Sequence, residues 1–166
     1  GVTNESRVNS KRLNNALNEI ITVNDNDELF YVKNREKGIN VKVGASDIND
    51  FLKDYGDFST KNFRTWMANT HFIDNMMDAL ESGDFDISKV TQRRKLVKKA
   101  VDNTAEKLHH TGGICKKSYI VNNLWEDFIN NPHEFKDIIM DYTGNDKYSN
   151  SENSFKNYID RYKDNL

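Results

Sequence analysis

The 166 residues suffice for one domain with a sizeable core, and a single proline among only eight glycines leaves room for long helices. Cys115 is the only cysteine, which excludes an intrachain disulfide, and no apolar run approaches the roughly 20 residues that span a bilayer, so membrane insertion is excluded. The net charge of −2 hides an asymmetry: residues 91–119 carry Arg93, Arg94, Lys95, Lys98, Lys99, Lys107, Lys116 and Lys117 against Asp102 and Glu106, while both flanks are acidic. That pattern is the footprint of a polyanion-binding surface or, taken alone, a solvated helix face.

In chain order, "GVTNESRV" reads as an extended segment. "SKRLNNALNEII" sets Leu13, Ala16, Leu17, Ile20 and Ile21 at helical spacing behind Ser10 as N-cap. "LFYVKNREKGINVKV" places β-branched and aromatic residues on either side of a turn containing Gly38, as in a short hairpin. "SDINDFLKDYG" predicts a helix capped by Ser46 or Asp47, with Ile48, Phe51, Leu52 and Tyr55 facing inward and Gly56 as the stop. The stretch from Ser59 or Thr60 to Gly83 predicts the longest helix, with Phe63, Met67, Phe72, Met76, Met77 and Leu80 as apolar positions and a break near Asn69.

"SKVTQRRKLVKKAVDNTAEKLHH" buries Leu96, Val97, Ala100, Val101, Ala105 and Leu108 on one helix face and presents the bases on the other. "TGG" turns the chain, and "CKKSYIVNNLWEDFINN" then restarts a helix, with Ile120, Leu124 and Phe128 along one side until Pro132. Two further amphipathic helices, "HEFKDIIMDY" and "SENSFKNYIDRY", are joined by a polar linker. The architecture expected is therefore mainly α.

The sequence contains neither a GxxxxGK[ST] loop nor a GxGxxG signature, and its histidines and cysteine lack zinc spacing. What stands out is Tyr119 amid cations, with Arg64 in "FRTW" and His110 before the turn. A phenol, with its pKa near 10, is a weak nucleophile at neutral pH, and phosphoryl transfer gathers negative charge on the non-bridging oxygens. Both difficulties call for fixed positive charge: an arginine fork can clamp two oxygens and a histidine can donate to one. Each residue also has an ordinary structural role open to it. Tyr119 can be a half-buried aromatic, His110 a helix C-terminal residue meeting the macrodipole, and Arg64 a surface ion-pairing group.

At these residues the sequence resembles the type IB DNA topoisomerases of the poxvirus and bacterial kind. "STKNFRTW" is similar to that family's T-A-K-D-F-R-T-W, and "HTGGICKKSYI" to its H/N-T-P-x-V-x-x-[KR]-S-Y-[IV] nucleophile motif. The two matches are collinear, and the likeness extends from residue 1 to about 135. The resemblance implies a helical catalytic domain of the type IB topoisomerase and tyrosine recombinase kind, with at most a short β hairpin or strand near the N-terminus. It implies that the enzyme relaxes supercoiled DNA by cutting and resealing one strand. Tyr119 would be the nucleophile forming a 3′-phosphotyrosyl link, and Arg64 and His110 would stabilise the phosphate. Lys61, Arg93, Arg94, Lys98, Lys116 and Lys117 would bind DNA.

The implied partner is duplex DNA, with no membrane, and the chain is expected to be a monomer. No cofactor is implied, neither ATP nor metal. The expected setting is an intracellular, reducing compartment. The composition, rich in Asn, Asp and Lys, hints at a large DNA virus and hence at a viral particle or cytoplasmic virus factory.

The resemblance further implies a single catalytic-domain fragment over residues 1–166: a strand remnant at 1–9, a helical core at 10–142 and a C-terminal helical tail at 143–166. The family's general-acid lysine and a further arginine would lie upstream of Gly1, so the isolated fragment should be inactive or very weak. Lys11 and Lys33 do not sit in the lysine's context. Gly112 and Gly113 replace the family's proline and small residue, a departure expected to loosen the turn before Tyr119. A tyrosine recombinase or integrase remains an alternative, but its H-x-x-R box is absent, because Lys61 and Asn62 precede Arg64. A non-catalytic DNA-binding helical module is the other alternative.

Overall fold

The computed structural model describes residues 5, 7–23, 29–34, 36–141 and 143–162, the side chains of residues 22, 23, 33 and 34 excepted. Most of the extended segment expected at the N-terminus, the side chain of Lys33 and the last four residues lie outside the described part. The described residues are mainly helical, with eight α-helices and one two-stranded sheet. The chain divides into two compact units, Gly1–Thr60 and Lys61–Leu166.

In the first unit, α1 (Lys11–Val23) starts where the sequence predicts, with Ser10 Oγ accepting from the Leu13 amide at 3.2 Å. Strands β1 (Tyr31–Asn34) and β2 (Ile39–Lys42) pair antiparallel, Tyr31 opposite Lys42 and Asn34 opposite Ile39. Gly38, at φ +64°, supplies the left-handed residue of their turn. Helix α2 (Ala45–Lys53) begins after Gly44, and the Asp47 carboxylate reaches back to the Gly44 amide at 2.7 Å. Asp47 thus caps from inside the first turn rather than from the N-cap position.

The inward face predicted for α2 is not buried. Ile48, Phe51 and Tyr55 are exposed, with the rings of Phe51 and Tyr55 5.3 Å apart, and Leu13 and Ile21 of α1 are exposed too. Two short helices and a hairpin offer too little surface to enclose those side chains, which a small unit cannot bury on its own.

The second unit holds the core. Helix α3 (Thr60–Ser82) runs unbroken through Asn69 and buries Ala68, Asn69, Phe72, Ile73, Met76 and Met77. The break expected at Asn69 does not occur: α3 is continuous there, and the Asn69 side-chain amide donates to the Thr65 carbonyl, one turn back, at 2.7 Å. Phe63 and Met67, predicted as apolar-face residues, are exposed. Helix α4 (Val90–Lys107) buries Leu96, Val97, Ala100, Val101 and Ala105, and Leu108 after it, as the spacing predicts.

The single helix expected from Cys115 to Asn131 is instead two: α5 (Gly112–Ser118) and α6 (Asn122–Asn130), broken at Tyr119–Val121. Pro132 opens α7 (Pro132–Ile139) at its first turn, where its missing N–H costs nothing. Helix α8 (Asn150–Tyr162) closes the core. There Trp66 packs on Phe155 at 5.1 Å and donates from Nε1 to Glu152 at 3.3 Å.

One buried polar pair secures α8. Tyr158, 2% exposed, donates to Asp127 Oδ2 of α6 at 2.5 Å; burial first, then the Asp127 hydrogen bond and charge, push its phenol pKa well up. Tyr158→Phe leaves the half-buried carboxylate short of a donor. The expected loss is about 1–3 kcal/mol, the scale of a hydrogen bond to a charged group, read as a lower thermal midpoint.

Candidate active site

Three elements of the second unit converge on one point. Helix α4 ends in a Schellman turn: the His109 amide donates to Glu106 O at 3.1 Å and the His110 amide to Ala105 O at 2.8 Å. The left-handed position, usually glycine, is His109, at φ +56°. This corrects the reading of "TGG" as the turn. Gly112 and Gly113 are the first two residues of α5, with Thr111 as N-cap, its hydroxyl accepting from the Ile114 amide at 3.4 Å. Gly112 lies close against α4, where a Cβ would come within 2.6 Å of Asp102 Oδ1. Gly112 therefore allows α5 to pack closely on α4, whereas a Cβ on Gly113 would meet nothing within 4 Å.

His109 tests this turn. A β-branched residue is strongly disfavoured in the left-handed region, whereas glycine enters it freely. His109→Val is expected to lower stability by about 1–2 kcal/mol, and His109→Gly to leave it within about 1 kcal/mol of the parent. Urea unfolding monitored by circular dichroism checks both.

Beyond the turn, the His110 ring stacks on Tyr119, centroids 5.1 Å apart and planes 16° from parallel. The Arg64 guanidinium carbon lies 5.7 Å from the centre of the same tyrosine ring. Arg64 Nη2 also donates to the Leu108 carbonyl at 2.7 Å. That carbonyl belongs to the C-cap of α4, where a cation is favoured by the helix dipole. Only one of five guanidinium donors is used in this way. His110 Nε2 is buried and has no hydrogen-bond partner, an unsatisfied group of the sort that accompanies a binding function. The three residues singled out in the sequence thus meet around one aromatic ring.

Tyr119 itself is the C-cap of α5, half-buried, its amide donating to Cys115 O at 3.1 Å. Cys115 is buried and unpaired, and burial raises its thiol pKa. A residue the sequence reading passed over completes the site. Asn69, fully buried, donates to Tyr119 O at 2.9 Å and accepts from the Val121 amide at 2.9 Å. Its signal is a polar residue beside the apolar positions of α3, which sequence pattern alone reads as a helix break.

The basic side chains named for DNA contact are not equivalent. Lys61 and Arg94 are exposed, as is Lys117. Arg93 is half-buried and tied back through Nη1 to the Ile87 carbonyl at 3.0 Å, with its Nε buried and unpartnered. Lys98 pairs with Asp102, and Lys116 lies 3.6 Å above the Trp125 ring. Arg94, Lys98 and Lys116 line one groove of about 570 Å³ between α4, α5 and α6, floored by Val97, Val101 and Trp125. Among the described residues no group of acidic, histidine and cysteine side chains could hold a metal ion, and no helix is long and apolar enough to cross a membrane.

The family model described as eukaryotic DNA topoisomerase I, catalytic core, matches residues 3–144. A protein of Acanthamoeba polyphaga mimivirus named DNA topoisomerase 1B is 32% identical over 120 residues, which cover 67% of this chain and 34% of that protein. The chain therefore spans about a third of the length of the curated relative it matches. With the family model extending over most of the sequence, the chain belongs to the DNA topoisomerase I catalytic-core family.

Proposed function

We propose that this chain carries the strand-cleaving part of a type IB DNA topoisomerase, which relaxes supercoiled duplex DNA by cutting and resealing one strand. The observation that carries the reading is the assembly of Arg64 and His110 around the Tyr119 ring. The Tyr119 phenol gives up its proton to water as its oxygen attacks a backbone phosphorus and forms a 3′-phosphotyrosyl ester. The bond to the 5′-oxygen breaks, and that oxygen leaves as a hydroxyl once it has gained a proton. Resealing reverses these steps.

Arg64 supplies a forked donor and His110 a single donor to the non-bridging oxygens, where the transition state concentrates charge. The stacked tyrosine ring lies against the imidazole, so substrate engagement involves rotation of the Tyr119 side chain. The proton for the leaving oxygen comes from outside this trio, by the family resemblance from a lysine upstream. Proposed contacts to the duplex are Lys61, Arg94, Lys98, Lys116 and Lys117, with Arg93 acting through its tie to Ile87 as a support for the basic helix. The enzyme is proposed to act as a monomer in a reducing intracellular setting.

A suicide substrate, a duplex nicked so that the cleaved strand diffuses away, tests the reading in a chain extended upstream. A covalent protein–DNA adduct with release of a 5′-hydroxyl oligonucleotide is expected; no adduct would refute it. The chain alone is expected to bind duplex DNA weakly and with strong salt dependence. Four or five phosphate contacts give a slope of roughly −4 in log K against log salt, since each contributes about −0.9. Titrations at several salt concentrations measure it, and a slope near zero would remove the basic groove from the account.

A further inference from the structure

We infer that Asn69 is a positioning residue for the nucleophile: its carboxamide clamps the backbone immediately after the Tyr119 side chain, from the Tyr119 carbonyl to the Val121 amide, and sets where the phenol can reach. The inference rests on the proposed role of Tyr119. Its geometric basis is independent of that role. The Asn69 amide nitrogen donates to Thr65 O at 2.7 Å and to Tyr119 O at 2.9 Å, and Oδ1 accepts from the Val121 amide at 2.9 Å.

The orientation of the amide is fixed by its partners, since two carbonyls require the donor end and one N–H requires the acceptor end. With Asn69 fully buried, water offers no alternative partner. The clamp sits at the one break between α5 and α6. The Tyr119 carbonyl, at the C-cap of α5, has lost its helical partner, and the Val121 amide precedes the first turn of α6. Asn69 therefore replaces for this short segment the hydrogen bonds a continuous helix would have given, and ties it to α3, the helix that also carries Arg64.

One rigid element thus fixes the spacing between the phosphate-binding arginine and the pivot of the nucleophile. The tyrosine ring turns about a stationary backbone while it leaves His110 for a phosphate. Displacement of a reacting group by about 1 Å can cost up to roughly 100-fold in rate, which sets the scale of the role.

The test has two readouts, taken below the melting temperature of every variant. In the chain itself, the stacked Tyr119 ring shifts the His110 ring-proton resonances upfield relative to Tyr119→Ala. Asn69→Ala, and the milder Asn69→Ser should the alanine variant unfold, are expected to lose more than half of that shift. In the extended protein, both should slow single-turnover adduct formation at saturating DNA by roughly 10–100-fold, with DNA affinity within twofold of the parent. Met76→Ala, a buried change on the same helix with no bond to this segment, should lower the melting point and move neither readout. Asn69 variants that melt earlier yet keep the His110 shift and the cleavage rate would overturn the inference. Should the parent protein form no adduct, the strand-cleavage reading falls and the His110 shift alone decides the clamp.

Discussion

Replacing Tyr119 by phenylalanine is expected to abolish covalent adduct formation in the extended protein, a loss of at least about 10⁴-fold in cleavage rate. The substitution removes only the oxygen. The ring keeps its face for His110, 5.1 Å away, and its place beside the Arg64 guanidinium. The backbone bonds to Cys115 and Asn69 are untouched, because they involve the Tyr119 amide and carbonyl. Stability should therefore stay within about 0.5 kcal/mol of the parent, the range of changes that leave packing and buried networks intact. DNA affinity should hold within a few fold. An adduct that persists in Tyr119→Phe would move the nucleophile to another residue.

Arg64→Ala is expected to have the second-largest effect, a fall of roughly 10²–10³ in the cleavage rate, the usual consequence of removing one preorganised donor from a developing oxyanion. Arg64→Lys should recover little of it. An ammonium keeps the charge but not the planar fork, and so cannot hold the Leu108 carbonyl and a phosphate in the geometry of the guanidinium. Because Arg64 Nη2 bonds that carbonyl at 2.7 Å, both variants should also lose about 0.5–1.5 kcal/mol of stability. Rates measured well below the unfolding transition separate the two contributions. A rate for Arg64→Lys equal to the parent would mean that charge alone suffices.

Much of the fold was legible where one helix face decides everything. The apolar spacing of α4 named every apolar residue that it buries, because its neighbours need only one stripe from it; the buried Thr104 bonds back to the Ala100 carbonyl. The break between α5 and α6 was not legible. Ile120, Leu124 and Phe128 continue at helical spacing across it, and all three are buried. What ends α5 is a tertiary feature, the Asn69 side chain bonding to Tyr119 and Val121 from a helix about 50 residues earlier. Local pattern carries no trace of such a partner.

The exposed face of α2 was misread for a related reason. Spacing shows that Phe51 and Tyr55 share a side, but not whether anything covers it. Of the candidate site, the motifs marked Arg64, His110 and Tyr119, while their mutual geometry depends on the left-handed backbone of His109. Sequence patterns favour glycine there, and the adjacent Gly112 and Gly113 drew the turn three residues too far along the chain.

The most direct test of the account is to locate the DNA–protein bond itself. A suicide-substrate adduct of the extended protein, digested with protease and nuclease, should yield one modified peptide in mass spectrometry. The expected product is a nucleotide 3′-phosphate esterified to Tyr119, within the peptide that follows Lys117, and a free 5′-hydroxyl on the departing strand. A link to any other residue, or to the 5′-phosphate side of the break, would contradict it.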